Sequence, residues 1–194
     1  IFWRRKVGRI VSRWNPEHVL DVATGTGDLA LEIQKRCPEA KVLGSDFCPE
    51  MLAHATEGGV KETKVEDAMN HSIEDNTFHV ETAAYGLRNL EDWQKALREM
   101  GRVIKPGGHL LVLDFSQPSG FLKKPYGLYL NRILPKVAGL LTGQGGAYQY
   151  LAGSIGEFPY GEKMIKLFKN AEFQDCECRS LSGGIASIYT GLKA

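Results

Sequence analysis

No uninterrupted run of about 18 apolar residues, the length a membrane-crossing helix needs, occurs anywhere in this chain of 194 residues. No signal-peptide pattern is present either. An excess of charge of one sign is also missing. Lys and Arg number 24, Asp and Glu 23, and the formal net charge is +1. Nothing in that balance would draw the protein to nucleic acid. Cysteine is sparse: Cys37, Cys48, Cys176 and Cys178 do not fall at zinc-ligand spacing. The Cys176-x-Cys178 pair falls in a predicted strand, where alternation sends both side chains to one face. The expectation is reduced thiols in a cytoplasmic protein, with no metal site.

Repeats, low-complexity segments and composition shifts are absent too, so one domain spanning residues 1–194 is expected. Apolar residues at 43% and charged residues at 24% are ordinary globular values. Two features suggest that residues are missing. The chain opens at Ile1, within a predicted helix, and the interval from Met51 to Asp67 is short for a helix followed by a strand.

What is present is an alternation of strands and helices. Trp3, Val7, Ile10, Val11 and Trp14 recur at helical spacing over Phe2–Trp14, opposite Arg4, Arg5, Lys6, Arg9 and Arg13. Asn15-Pro16 ends that helix. The basic face is read as a solvated outer surface or a contact for anionic membrane. Strands are predicted at Val19–Ala23, Lys41–Ser45, Lys64–Glu66, Thr77–Ala84 and His109–Phe115. Helices are predicted at Asp28–Arg36, Pro49–Thr56 and Asp92–Val103, the last capped by Asp92. Lys105-Pro106-Gly107-Gly108 reads as a turn before the fifth strand. Such alternation calls for a parallel sheet with helices on both faces. The rhythm then breaks. After a helix at Met164–Asn170, strands at Asp175–Leu181 and Ile185–Leu192 flank Ser182-Gly183-Gly184, a tight turn that implies an antiparallel hairpin.

Residues 119–160 are different in kind. Leu, Tyr, Pro and Gly dominate, and Lys123, Lys124, Arg132 and Lys136 interrupt the apolar residues. Following the fifth strand, this segment is placed to cover a substrate at the carboxyl ends of the sheet.

The stretch Val19–Ala30 carries the chemistry. A buried strand runs into Thr24-Gly25-Thr26-Gly27, and a helix opens directly after it. Two glycines two apart let the backbone turn sharply and approach a ligand closely. Asp46 follows at the end of the second strand. Gly25-x-Gly27-x-x-Ala30 with that acid fits a dinucleotide fingerprint as well. Asp21, four residues ahead of Gly25, weighs against it: a carboxylate repels a pyrophosphate but suits an ammonium and a sulfonium. Asp67-Ala68 after the third strand adds a partner for an adenine amino group. These features resemble class I S-adenosylmethionine-dependent methyltransferases.

The resemblance narrows over nearly the whole chain. Asp21-Val22-Ala23-Thr24-Gly25-Thr26-Gly27-Asp28-Leu29, Tyr85-Gly86-Leu87-Arg88-Asn89 and Leu113-Asp114-Phe115-Ser116-x-Pro118 are similar to the ubiquinone/menaquinone biosynthesis C-methyltransferases. So are Tyr148-x-Tyr150-Leu151-x-x-Ser154-Ile155-x-x-Phe158-Pro159 and Leu181-Ser182-Gly183-Gly184-Ile185. The resemblance implies a Rossmann-like α/β fold, a mostly parallel seven-stranded sheet closed by the antiparallel hairpin. It implies S-adenosylmethionine as cofactor and methylation of a prenylated quinol, a demethylmenaquinol above all. It also implies contact with the inner face of a membrane, and it admits a homodimer.

By the same resemblance Gly25, Thr26 and Gly27 wrap the methionyl part of the cofactor, and Asp21 is a cofactor-binding residue or else a helix or strand-end partner. Asp46 accepts the ribose hydroxyls, Met51 packs on adenine or equally in the core, Asp67 and Ala68 meet the adenine, and Phe47 and Ala84 are further cofactor-binding residues. Arg88 and Tyr148 are the implied catalytic residues, and Asn89, Tyr150 and Ser154 the substrate contacts. Arg88 can equally serve as a salt-bridge partner for a loop carboxylate, and His79 reads as a packed or edge histidine. The chain departs from the family at Thr24 (Cys or Gly), Asp114 (Glu), His79 (Asp) and Glu66 (Gly or Asn). It also lacks the segment ahead of Trp3-Arg4 that helps form the family's substrate entrance. Other readings are a methyltransferase of soluble phenols, a non-catalytic subunit of a quinone-synthesis complex, and a nicotinamide-dependent dehydrogenase.

Overall fold

The computed structural model describes residues 2–118 and 158–194. Seven strands form one sheet: β1 (His18–Val22), β2 (Lys41–Asp46), β3 (Glu62–Val65), β4 (Phe78–Ala84), β5 (Ile104–Phe115), β6 (Phe173–Leu181) and β7 (Ala186–Lys193). Their spatial order is β3-β2-β1-β4-β5-β7-β6. The first five run parallel, and β7 enters antiparallel to both β5 and β6. The predicted mostly parallel sheet with a terminal hairpin is therefore present.

Alternation along the strands feeds two cores. Leu20, Val22, Leu110 and Val112 point to one face and join residues of α4 (Trp93–Val103) and α5 (Glu162–Asn170), among them Leu97, Met100, Met164 and Phe168. Val19, Val80, Leu111 and Leu113 point to the other face. They meet Val7 and Val11 of α1 (Phe2–Arg13), Leu29 and Ile33 of α2 (Asp28–Arg36), and Ala55 of α3 (Pro49–Glu57). Burying a leucine such as Leu20 completely contributes about 2 kcal/mol, so the period-two pattern holds each strand in one register. At the start of α4, the Asp92 carboxylate accepts the Lys95 N–H at 2.9 Å, the predicted cap.

Two expectations change. Lys105–Gly108 is no turn ahead of β5 but part of it. Phe78 pairs with Ile104 and Val80 with His109, so the extra residues bulge out of the ladder. Pro106 has no N–H to give, and Gly107 sits at φ 79°, which together make the bulge possible without ending the strand. The interval from Met51 to Asp67 is not too short either: the nine-residue α3 and four-residue β3 fit around it. The proposed bulk of the substrate cover, residues 119–157, lies outside the described residues.

Candidate cofactor site

Strand order reverses between β1 and β4, and ligands of open parallel sheets bind outside the carboxyl ends at such a point. The ends of β1 and β4 come unusually close there. A Cβ placed on Gly86 would stand 2.3 Å from that of Ala23, so only glycine permits the approach. Both neighbouring non-glycine residues take left-handed backbone, Ala23 at φ 50° and Tyr85 at φ 63°. Backbone strain of this kind concentrates where a site over-determines the chain.

The two glycines of the first turn divide their work. A Cβ on Gly27 (φ 81°) would lie 2.4 Å from a Val60 methyl, so this glycine serves packing. A Cβ on Gly25 (φ 58°) would meet nothing within 4 Å, and its backbone borders an open cavity. Asp46 closes the turn. Its Oδ2 accepts the Gly25 N–H at 2.8 Å, and its Oδ1 accepts the Cys48 N–H at 3.0 Å. Farther along, Asp67 Oδ1 accepts the Met69 N–H at 2.8 Å.

The cavity measures about 720 Å³, within the usual range for a small-molecule site. Of the predicted residues, Gly25, Asp46, Phe47, Met51, Asp67, Ala68 and Asn89 line it. Phe47 and Met51 stay 78% and 43% exposed, apolar surface at the rim. Tyr85, Gly86, Glu66 and Glu91 also line it. Tyr85 and Gly86 stood in a quoted motif at the end of a predicted strand, a position that could have marked them. Nothing local marked Glu91.

The lining decides which nucleotide suits it. Asp46, Asp67 and Glu91 supply carboxylates, Glu66 is paired with Lys64, and no lysine or arginine stands among the described lining residues. Such a wall repels a pyrophosphate and favours a cationic ligand. Gly25 leaves room for close backbone approach, and Asp46 stands at the end of β2 to accept a diol. The residues present therefore fit S-adenosylmethionine.

Other predicted residues lie elsewhere. Asp21 is buried beneath the turn, where its carboxylate accepts hydroxyl bonds from Thr24 at 2.6 Å and Thr82 at 2.7 Å. Burial, opposed by those bonds, pushes it up to about 6. Thr26 is exposed, Gly27 buried and Ala84 half-buried, and none of them borders the cavity. Arg88 Nη1 bonds Asp114 Oδ1 at 2.9 Å, the guanidinium 11% and the carboxylate 0% exposed. Arg88 therefore does form a salt bridge, but with a carboxylate of strand β5 and not with one in a loop. His79 sits at the opposite end of β4 near Glu17 and His18, with Lys105 Nζ 3.4 Å from its ring. Tyr148, Tyr150 and Ser154 lie outside the described residues.

The model of the ubiE/COQ5 methyltransferase family matches residues 1–193. The chain belongs to that family. Among its relatives, the Deinococcus radiodurans demethylmenaquinone methyltransferase is 38% identical, covering 98% of this chain and 81% of its own length. The Thermus thermophilus demethylmenaquinone methyltransferase is 40% identical over 97% of this chain and 88% of its own. A ubiquinone/menaquinone biosynthesis C-methyltransferase of Bdellovibrio bacteriovorus is 41% identical over 97% and 83%. Solved structures agree on the fold of this family member. The CurJ carbon methyltransferase gives a TM-score of 0.73 at 14% identity, covering 98% of this chain and 54% of that one. The Haemonchus contortus phosphoethanolamine N-methyltransferase 2, in complex with S-adenosyl-L-methionine, gives 0.70 at 17% over 95% and 51%. The Rossmann-like methyltransferase fold read from the sequence is thus the one found.

Proposed function

We propose that this family member methylates a ring carbon of a prenylated quinol, specifically a demethylmenaquinol, using S-adenosylmethionine. The acidic cavity at the sheet's reversal point, with no lysine or arginine among its described lining residues, carries the donor half of this reading. The names borne by its relatives support the acceptor half. When bound, the cofactor supplies an electrophilic methyl group on a cationic sulfonium. Asp46 would take the ribose hydroxyls, Asp67 and Ala68 the adenine edge, and Phe47 and Met51 the exposed ring faces. The buried Asp21 holds the turn through Thr24 rather than reaching the ligand itself.

The acceptor belongs on the far side of Tyr85. There Trp3 and Tyr85 pack on Phe115, with ring centroids 6.2 and 5.0 Å apart. Arg4 lies 5.7 Å from the Tyr85 ring and Arg88 5.3 Å from the Phe115 ring. Aromatic walls with two cations suit a flat ring that carries negative charge. A quinol carbon becomes nucleophilic once a ring hydroxyl gives its proton to water, so a cation that stabilises the oxyanion lowers the barrier. After methylation that carbon gives its own proton to water, which restores the aromatic ring. Arginine is too basic to accept either proton. Arg88, held by Asp114, is assigned to the oxyanion. Burial pushes the Tyr85 hydroxyl up to about 12, so it stays neutral and can donate a hydrogen bond to the same oxygen. Tyr148, Tyr150, Ser154 and the apolar 119–157 segment would close over the ring and its prenyl tail. The basic face of α1 would hold the protein against anionic lipid.

Mass spectrometry of products formed from short-chain demethylmenaquinol, a benzoquinol and soluble phenols, with labelled cofactor, tests the proposal. Label on the naphthoquinol ring carbon is expected; label only on soluble phenols would replace the quinol reading.

A further inference from the structure

Beneath the cavity wall lies a cluster of ionisable side chains that the transfer reaction does not use. Glu81, in the middle of β4, and His71, in the segment after β3, are both 0% exposed at their side chains. His71 Nε2 stands 3.8 Å from Glu81 Oε1, and His71 Nδ1 stands 3.6 Å from Glu66 Oε2. Neither imidazole nitrogen and neither Glu81 oxygen has a hydrogen-bond partner among the described residues. Buried polar atoms left this way are costly, and a charge here persists only while the pair keeps its proton.

The cluster reaches the cavity through one short segment. Glu66, Asp67, Ala68 and Met69 form a wall of it. His71 follows two residues after that wall and is tethered on every side. From α4, Glu99 accepts the His71 N–H at 2.8 Å, while Arg102 bonds the carbonyls of His71 at 3.1 Å and Ile73 at 2.9 Å. Arg102 also binds Glu99 and Asp75. From the end of β3, Glu66 accepts the Ser72 N–H at 2.7 Å and pairs with Lys64 at 2.6 Å. Glu81 faces the imidazole from β4, on the side opposite Glu66.

We infer that His71 and Glu81 are positioning residues for the cofactor: while the cluster holds its proton, electrostatic attraction between the two side chains keeps the Glu66–Met69 wall against β4, and losing that proton loosens the wall. This deepens the cofactor reading of the cavity and rests on it. Burial opposes charge on His71, but Glu81, Glu66 and Glu99 outweigh it and raise its affinity for a proton. Burial likewise raises Glu81, against the pull of His71, to about 7. Both shifts have the same sign. As pH rises through neutrality the cluster gives up its proton, leaving a buried carboxylate opposite a neutral ring, so cofactor affinity should fall.

Calorimetric titration of the full chain with S-adenosylhomocysteine, from about pH 6 to about pH 8.5, reads this directly. Wild type is expected to lose affinity roughly fivefold across that range. His71→Leu combined with Glu81→Met removes the ionisable pair without leaving a lone buried charge, and its profile should flatten. A double variant with the wild-type profile would overturn the inference. A second measurement needs no substitution. By linkage, S-adenosylhomocysteine must raise the midpoint of the His71 imidazole titration followed by NMR, and an unmoved midpoint overturns the inference too. Absence of binding at every pH would instead sink the cofactor reading beneath it.

Discussion

The Gly25 N–H donates to Asp46 Oδ2 at 2.8 Å, tying the turn after β1 to the end of β2. One carboxylate thereby shapes the loop and, in the proposed function, would accept the ribose diol. Asp46→Ala should abolish measurable S-adenosylhomocysteine binding by calorimetry. Asp46→Asn, which keeps one oxygen acceptor, should weaken it by about 1–3 kcal/mol. Equal affinity in both variants and wild type would remove Asp46 from the site.

Gly86 tests the close approach of β1 and β4. The methyl added by Gly86→Ala would stand 2.3 Å from the Ala23 methyl, and both belong to backbone that cannot swing away. Overpacking of this kind costs about 1–3 kcal/mol. Thermal unfolding should show a lowered melting temperature, with weakened cofactor binding beside it. Gly25→Ala meets open space instead, so its cost is confined to the left-handed backbone and to ligand approach.

Arg88 and Asp114 are separable by a double substitution. Removing Arg88 alone leaves a fully buried carboxylate, a loss of about 3–5 kcal/mol. Arg88→Met with Asp114→Leu should recover most of that stability in urea unfolding. Methyl transfer to quinol should stay abolished in the double variant. Restored transfer would make the ion pair structural only.

Buried Asp21 makes stability depend on pH. Its folded value of about 6 exceeds the ordinary 3.8, so between those values the folded chain binds more protons than the unfolded one. Stability is then greatest below about pH 4 for this group and is lost as pH rises through about 6, by about 3 kcal/mol in all. Asp21→Asn should flatten that part of the urea-unfolding profile between about pH 4 and 7. An unchanged slope would show that the carboxylate is not desolvated in solution.

Arg5, Lys6, Arg9 and Arg13 on α1 predict binding to vesicles. Co-sedimentation with anionic liposomes should exceed that with neutral ones and fall as salt rises. Glutamate substitutions at Arg5 and Arg9 should reduce it, and no binding to either vesicle would count against the membrane contact.

The residue pattern by itself determined the order and kind of the elements. Helical spacing in α1, the apolar strand before Gly25 and the cap at Asp92 act within a few residues, where backbone preference and side-chain period decide the outcome. For the same reason the glycine turn and Asp46 were legible. The bulge at Lys105–Gly108 was not, because its residues read as a turn until pairing with Phe78 and Val80 holds them in the sheet. Tertiary structure alone decided which carboxylates border the cavity and which lie buried. Glu91 reaches the cavity, Asp21 finds Thr82, Arg88 finds Asp114, and His71 meets Glu81. Whether a carboxylate is charged, shared or silent depends on burial and on partners from other strands, which local sequence does not carry.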